Sequence, residues 1–325
     1  MIHTDLCDLL GIEHPIISAP MAGSAAAELV AAVSGAGGFG LIGGTTRGGA
    51  NWLRAQIRAV RERTNRPFGV GFITAAPGTD ELARVALEEG VAAVAHSFAD
   101  PTPYIAPAHA AGAKVLVQVQ TVAQARVAAQ AGADIIAAQG IEAGGHTGTT
   151  SATLPLVPAV IDAVGGIPVV AAGGIADRRG LAAVLMLGAA GVWLGTRFVA
   201  SEEWAGGDWA KARVVAAGAD DAVLTRAFDL VNEAPFPAGI RDHVLRNDFT
   251  DAWQGRDDEV VARRAELNAQ LRAASAAGDT RIAAVRAGNA AGLIHAIEPA
   301  GAIVQRLVAE AEQLLRERPA ALLRG

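Results

Sequence analysis

Short apolar runs recur along the chain at intervals of roughly 20–30 residues, each followed by a Gly, Pro or Ser/Thr signal and then a segment with helical spacing. Eight of them fit strands: residues 16–19, 38–42, 68–73, 92–96, 114–119, 134–138, 168–172 and 191–194. Several are apolar without alternation, the pattern of strands covered on both faces. Ala-rich helical segments lie between them, at 25–34, 53–63, 81–88, 122–131 and 179–187. Ser24, Thr79, Thr121 and Asp177 stand at N-cap positions, and Gly35, Gly90, Gly112, Gly132 and Gly188 at helix stops. Eight βα units in about 200 residues predict an α/β fold, a (β/α)8 TIM barrel. An open doubly wound sheet competes, but no Gly-x-Gly-x-x-Gly opens the first helix; Pro20-Met21-Ala22-Gly23 stands there instead.

After residue 194 the periodicity breaks. Residues 201–287 carry three of the five Trp (Trp204, Trp209 and Trp253), scattered charge and little strand signal. They read as a mainly helical insertion between strand eight and the last barrel helix. That helix is expected after Pro299, running through Ile303, Leu307 and Leu314 to about residue 318, with Pro319 ending it. Residues 1–325 then read as one barrel domain with one excursion.

Composition narrows the class. Hydrophobic residues make up 51% of the 325 but aromatics only 4%, so the apolar mass is Ala, Val, Leu and Ile, which suits helices packed closely on parallel strands. No apolar run reaches the ~18 residues of a membrane span, and no basic patch leads into an apolar stretch at the N-terminus. The single Cys7 permits no intrachain disulfide and no cysteine metal cluster, in keeping with a cytoplasmic setting. Lys and Arg number 27 against 33 Asp and Glu, a formal net charge of −6, with no basic stripe; nucleic acid is not expected as a partner, nor is a membrane. A homo-oligomer, if formed, is expected through the Trp-bearing excursion.

In a barrel the chemistry gathers at the C-terminal ends of the strands. After the sixth strand comes Glu142-Ala143-Gly144-Gly145-His146-Thr147-Gly148, a titratable imidazole on a loop rich in glycine. Such a loop loses much backbone entropy on folding and is explained when something must approach the backbone closely. After strands seven and eight come Gly173-Gly174 and Gly195-Thr196, each leading into a helix. Tight βα turns alone would explain either pair; both in this order favour a phosphate group, bound by free N–H groups and the Thr196 hydroxyl. An attached ring would then lie over the barrel mouth, within reach of Gln118 and Gln139 at the ends of strands five and six and of Met21 after strand one. Glu142 is expected to tie down backbone N–H groups, and His96 to line the mouth. His3, His14 and His109 suit surface or cap roles, and His243 and His295 have no visible partner. No ligand spacing suggests a metal, and no Gly-x-Ser-x-Gly elbow suggests a hydrolase.

The segment Ala138-Gln-Gly-Ile-Glu-Ala-Gly-Gly-His-Thr-Gly148 resembles the signature of the nitronate monooxygenase (2-nitropropane dioxygenase) family. Ala171-Ala-Gly-Gly-Ile-Ala-Asp177, Leu194-Gly-Thr-Arg-Phe198 and Pro15-Ile-Ile-Ser-Ala-Pro-Met21 are similar to other parts of it. The resemblance implies a TIM barrel with noncovalent FMN. It implies His146 as the active-site histidine, and Gly144 and Gly145 beside the flavin. Gly173, Gly174, Gly195 and Thr196 would form the phosphate cradle, and Met21 with Pro20 and Ala22 the strand-one contact. Gly71 stands where many members have Asn, and Gln118 where some have Lys. The leading activity is oxidation of a small alkyl nitronate by O2 to a carbonyl compound and nitrite. The alternative, from related FMN-dependent enoyl-ACP and quinone reductases, is NAD(P)H-dependent reduction of an enoyl thioester or quinone. A flavin-binding partner protein without turnover ranks third.

Overall fold

The structure, a computed structural model of the chain, describes residues 2–46, 48–237 and 239–323; residues 1, 47, 238, 324 and 325 lie outside the described residues. Its first six strands are β1 (Ile16–Ser18), β2 (Gly40–Gly43), β3 (Phe68–Ile73), β4 (Ala93–Ser97), β5 (Lys114–Val119) and β6 (Ile135–Gln139). A short strand β7 (Gly145–Thr147) lies outside the barrel, and β8 (Val169–Ala172) and β9 (Gly191–Leu194) complete it. Eight strands pair in parallel in the order β1-β9-β8-β6-β5-β4-β3-β2, and a bridge between Ile17 and Phe39 joins the two end strands into a ring. The eight apolar runs are these eight strands.

The pleat sorts each strand's side chains between two cores. Ile16, Val94, Val115, Ile136 and Val192 face the surrounding helices, while Ile17, Ala95, Leu116, Ala137 and Trp193 fill the barrel interior. Ala93, Ala95, Ala137 and Ala172 share that inner core with Phe39 and Trp193, small side chains beside two large rings. Leu6, Cys7 and Leu10 of the helix Asp5–Leu10 join that inner core and stopper the N-terminal end. By the same alternation Gln118 and Gln139 point inward at the open end. His96 follows the inward Ala95 and points outward.

Thr121 accepts from Gln124 N, and Asp177 from Arg179 N and Gly180 N, as N-caps should. Ser24 and Thr79 do not cap: the helix Ala27–Gly35 begins behind Ala26, and Thr79 sits in a first turn behind left-handed Gly78. Gly90, Gly112, Gly132 and Gly188 all take positive φ; Gly35 is still helical, and Gly37 makes that turn instead. The helices Thr102–Ala110 and Thr153–Val164, each with an internal proline, escaped the pattern. The last helix, Ala300–Leu322, continues through Pro319. A proline there removes one intrahelical bond, which water replaces because this end is exposed.

The insertion is not purely helical. It holds β10 (Ala222–Thr225) and β11 (Arg241–Leu245), which form an antiparallel sheet with β7 in the order β10-β11-β7. Around it Phe228, Phe249, Trp253 and Leu267 make a separate core. Trp253 is buried, and Trp204 and Trp209 are partly so. Among the described residues no helix is long and apolar enough to cross a membrane.

Candidate active site

At the open end of the barrel lies a cavity of about 350 Å3, a size suited to a small cofactor or substrate. Its floor and near wall come from the strand ends. Inward-facing Gln118 and Gln139 reach it, as do Pro20, Met21 and Ala22 from the loop after β1. That loop folds tightly over the barrel because two neighbouring strands offer glycine. A Cβ on Gly43 would lie 2.2 Å from Met21 O, and one on Gly71 2.3 Å from the Pro20 ring. The Pro20 ring therefore fills the space where a side chain at position 71 would sit.

The opposite wall is backbone. Gly173 (φ 99°) and Gly174 (φ 73°) occupy conformations costly to any residue with a Cβ. A Cβ on Gly144 would lie 2.5 Å from Gly288 N and 2.7 Å from Thr196 Oγ1. Gly195 and Thr196 complete this side; Thr196 Oγ1 accepts from Gly288 N at 3.2 Å, which leaves its own proton to donate. Gly145 (φ 74°) has open space where a side chain would go. Five glycines that meet the cavity without side chains, with one free hydroxyl proton, fit an anionic group and a flat ring, as FMN requires. The N-terminus of the helix Arg178–Met186 is already taken by the Asp177 carboxylate. An anion is therefore left with the Gly173–Gly174 and Gly195–Thr196 turns rather than that helix end.

His146 lies on β7, largely buried. Its Nε2 is 2.9 Å from Asp229 Oδ1, and its ring stacks on Phe236 with centroids 3.4 Å apart and planes at 17°. Phe98 meets both rings edge-on and holds φ at 68°, a strained conformation for a bulky residue at a site wall. Gln139 Nε2 donates to His146 O at 3.2 Å, and Gln139 Oε1 accepts from Gln120 Nε2 at 3.1 Å, so Gln139 braces the histidine backbone as well as lining the cavity. Opposite His146 in the β7–β11 ladder is Asp242, fully buried. Arg286 holds it through two contacts, Nε to Oδ1 at 3.1 Å and Nη2 to Oδ2 at 2.8 Å. Asp242 first, then Asp229, raise the Arg286 pKa above the ordinary arginine value. The ligand atoms of His146, Asp229 and Asp242 lie within 4.8 Å of one another, yet Arg286 already supplies the cation there.

The twelve residues expected from sequence to serve catalysis or the cofactor all line this one cavity. Glu142 ties the start of the helix Thr153–Val164, accepting from Thr153 N at 2.9 Å and Thr153 Oγ1 at 3.0 Å. His96 does not line the mouth. It lies behind β4, stacked on Tyr104 at 4.4 Å with Nδ1 3.1 Å from Thr74 Oγ1, and burial pushes its pKa down to about 4. His243 has a partner after all: on β11, its Nδ1 is 3.0 Å from Ala143 O. Asp229, Phe236, Asp242 and Arg286 from the insertion, with Phe98 after β4, are the residues that sequence reasoning missed. The one local signal was Pro235-Phe236-Pro237, an aromatic pinned between two prolines.

The family model described as nitronate monooxygenase matches residues 3–310. A (3aS,4S,5R,7aS)-5-hydroxy-7a-methyl-1-oxo-octahydro-1H-indene-4-carboxyl-CoA dehydrogenase of Mycobacterium tuberculosis is 39% identical over 252 residues, covering 77% of this chain and 68% of the relative. A nitronate monooxygenase of Pseudomonas aeruginosa is 39% identical over 242 residues, covering 60% and 68%. Among solved structures, FabK from Thermotoga maritima is 38% identical with a TM-score of 0.89, covering 99% of this chain and 100% of that one.

Proposed function

The chain belongs to the nitronate monooxygenase family of flavin oxidoreductases, and we propose that within it this protein acts on an acyl thioester, reducing or oxidising the bond next to the thioester carbonyl. The observation that carries this reading is the charge around His146. Asp229 sits 2.9 Å from its Nε2 and Asp242 faces it across the ladder, against one guanidinium, Arg286, already engaged by Asp242. A nitronate is an anion before it reacts and would meet an excess of carboxylate. A thioester is neutral and develops negative charge only as it reacts, which a proton from histidine can meet. The walls of Phe98 and Phe236 suit an apolar acyl group. The Mycobacterium tuberculosis relative, a carboxyl-CoA dehydrogenase, supports the same class.

In this reading Gly173, Gly174, Gly195 and Thr196 hold the FMN phosphate, Pro20, Met21 and Ala22 pack against the ring, and Gln118, Gln139, Gly144 and Gly145 border it. Bound FMN supplies the hydride acceptor or donor. Asp229 Oδ1 accepts a hydrogen bond from His146 Nε2–H, which leaves Nδ1 as the nitrogen available to substrate. There His146 removes or returns a proton, while Phe98 and Phe236 exclude water.

A second reading, oxidation of an alkyl nitronate by O2 to a carbonyl compound and nitrite, is favoured by Arg286, a cation on the cavity wall. The test is anaerobic mixing of the flavin-loaded protein with propyl-2-nitronate, NADH, NADPH, and butyryl- and crotonyl-CoA, followed by flavin absorbance. The thioester reading expects bleaching by a nicotinamide or by butyryl-CoA, and recovery of colour with crotonyl-CoA. Bleaching by nitronate alone selects the second reading. A protein that gains no FMN overturns both.

A further inference from the structure

Beside the main cavity lies a second chamber of about 250 Å3, and Asp229, Ala234 and Phe236 line both. Phe236 is thus the partition between them, with one face already against His146. The chamber carries two guanidinium groups, Arg226 and Arg264, to which the chemistry at His146 gives no role. Arg226 Nη1 donates to Asp257 Oδ2 at 3.0 Å, and Arg264 Nη1 to Glu233 Oε1 at 2.5 Å. The arginine side chains are 51% and 34% exposed, and Glu233 70%. Pairs so open to water contribute little, whereas a guanidinium binds phosphate oxygens through two parallel bonds. An incoming phosphate would therefore exchange for these carboxylates at small cost.

We propose that this chamber receives the diphosphate-bearing end of the substrate, the nucleotide part of a coenzyme A thioester, while the acyl end lies at His146. The proposal rests on the thioester reading and extends it. The insertion supplies both the partner of His146 and the seat of the tail: Asp229 belongs to the helix Ala227–Asn232, with Arg226 just before it and Glu233 just after, and Arg264 opens the helix Arg264–Ala277. A nicotinamide dinucleotide carries the same diphosphate, so the experiment must separate the two sources.

The experiment compares KM for crotonyl-CoA, for the crotonyl thioester of N-acetylcysteamine, which lacks the nucleotide, and for NADH, in the flavin-loaded protein. In the Arg226→Gln/Arg264→Gln double variant the ratio of the crotonyl-CoA KM to the truncated-thioester KM should rise tenfold or more. Glu233→Gln, which frees Arg264, should lower that ratio. Arg264 also donates to Leu230 O in the Asp229 helix, so Arg226→Gln alone is the control and should raise the ratio several-fold. A ratio that stays put in all three variants overturns the proposal, as does a rise in the NADH KM without one for crotonyl-CoA. If wild type turns over neither thioester, the functional reading fails. Calorimetric titration of free coenzyme A then still decides this site: its Kd must weaken tenfold in the double variant.

Discussion

Two walls meet over His146, one from the barrel and one from the insertion. The barrel wall is mostly backbone, with Gly173, Gly174 and Gly195 laying peptide groups open and Thr196 adding a hydroxyl. Apart from His146 itself, its described lining residues have no ionisable side chain. The insertion wall is the reverse: Asp229, Arg286 and the buried Asp242 behind them carry charge, and Phe236 carries an aromatic face. Peptide groups bind a phosphate whatever the neighbouring side chains are, so the barrel wall suits a constant cofactor. Charged and aromatic side chains decide which proton moves and which substrate fits.

If the division is right, damage to one wall should leave the other's task intact. The greatest loss is expected at their junction: His146→Asn should lower kcat by about 10²–10⁴-fold, the usual worth of a positioned acid or base, while FMN stays bound. Flavin fluorescence after gel filtration checks retention, and FMN lost with the histidine would erase the distinction. On the insertion side, Asp229→Asn should also slow turnover and keep FMN. There ¹⁵N spectra of labelled histidine should show His146 passing from a single Nε2–H form to a mixture of tautomers, which a merely structural Asp229 would not produce. Gly144→Val attacks the barrel side, forcing a side chain between Gly288 N and Thr196 Oγ1. FMN should bind at least tenfold more weakly, and the fraction that retains flavin should keep most of its kcat.

These outcomes turn on residues of unequal visibility. The barrel was readable because each strand is covered on both faces and most of the helices between them stop at or next to a glycine, so the units repeat one pattern within about 25 residues. The cavity residues at strand ends inherit their places from that repeat. Only the pleat misled, since His96 ends a strand one position out of phase with Gln118 and Gln139. The insertion wall has no such local cue. Gly145-His146-Thr147 does not look like a strand, and becomes one only because Arg241–His243 pairs with it. Asp229 finds His146 across 83 residues. A contact of that kind belongs to the tertiary fold, and no period or spacing carries it. The proposed preference for a neutral substrate rests on those same unseen carboxylates.

A smaller effect tests the barrel away from both walls. His96 is depressed to about 4 by burial, so the folded state favours its neutral form. The stability this gives is fully present above the unfolded value of about 6.5 and fades as pH falls toward 4. The expected loss is about 2 kcal/mol by pH 5, measured by urea unfolding between pH 5 and 8. His96→Gln should flatten that slope, and an unchanged slope would place the acid sensitivity elsewhere.

The ladder between β7 and β11 also sets an order of events on the ribosome. The chain emerges from its N-terminus, and every loop of the glycine wall has been made by residue 197. The strand that fixes the histidine's backbone arrives later, with Arg241–Leu245. At ordinary elongation rates the gap from β7 is roughly 5–20 seconds. Between residue 197 and residue 229 the nascent chain has the loops of that wall but neither the strand nor the carboxylate that hold His146, so the site stays unassembled until most of the protein has been made.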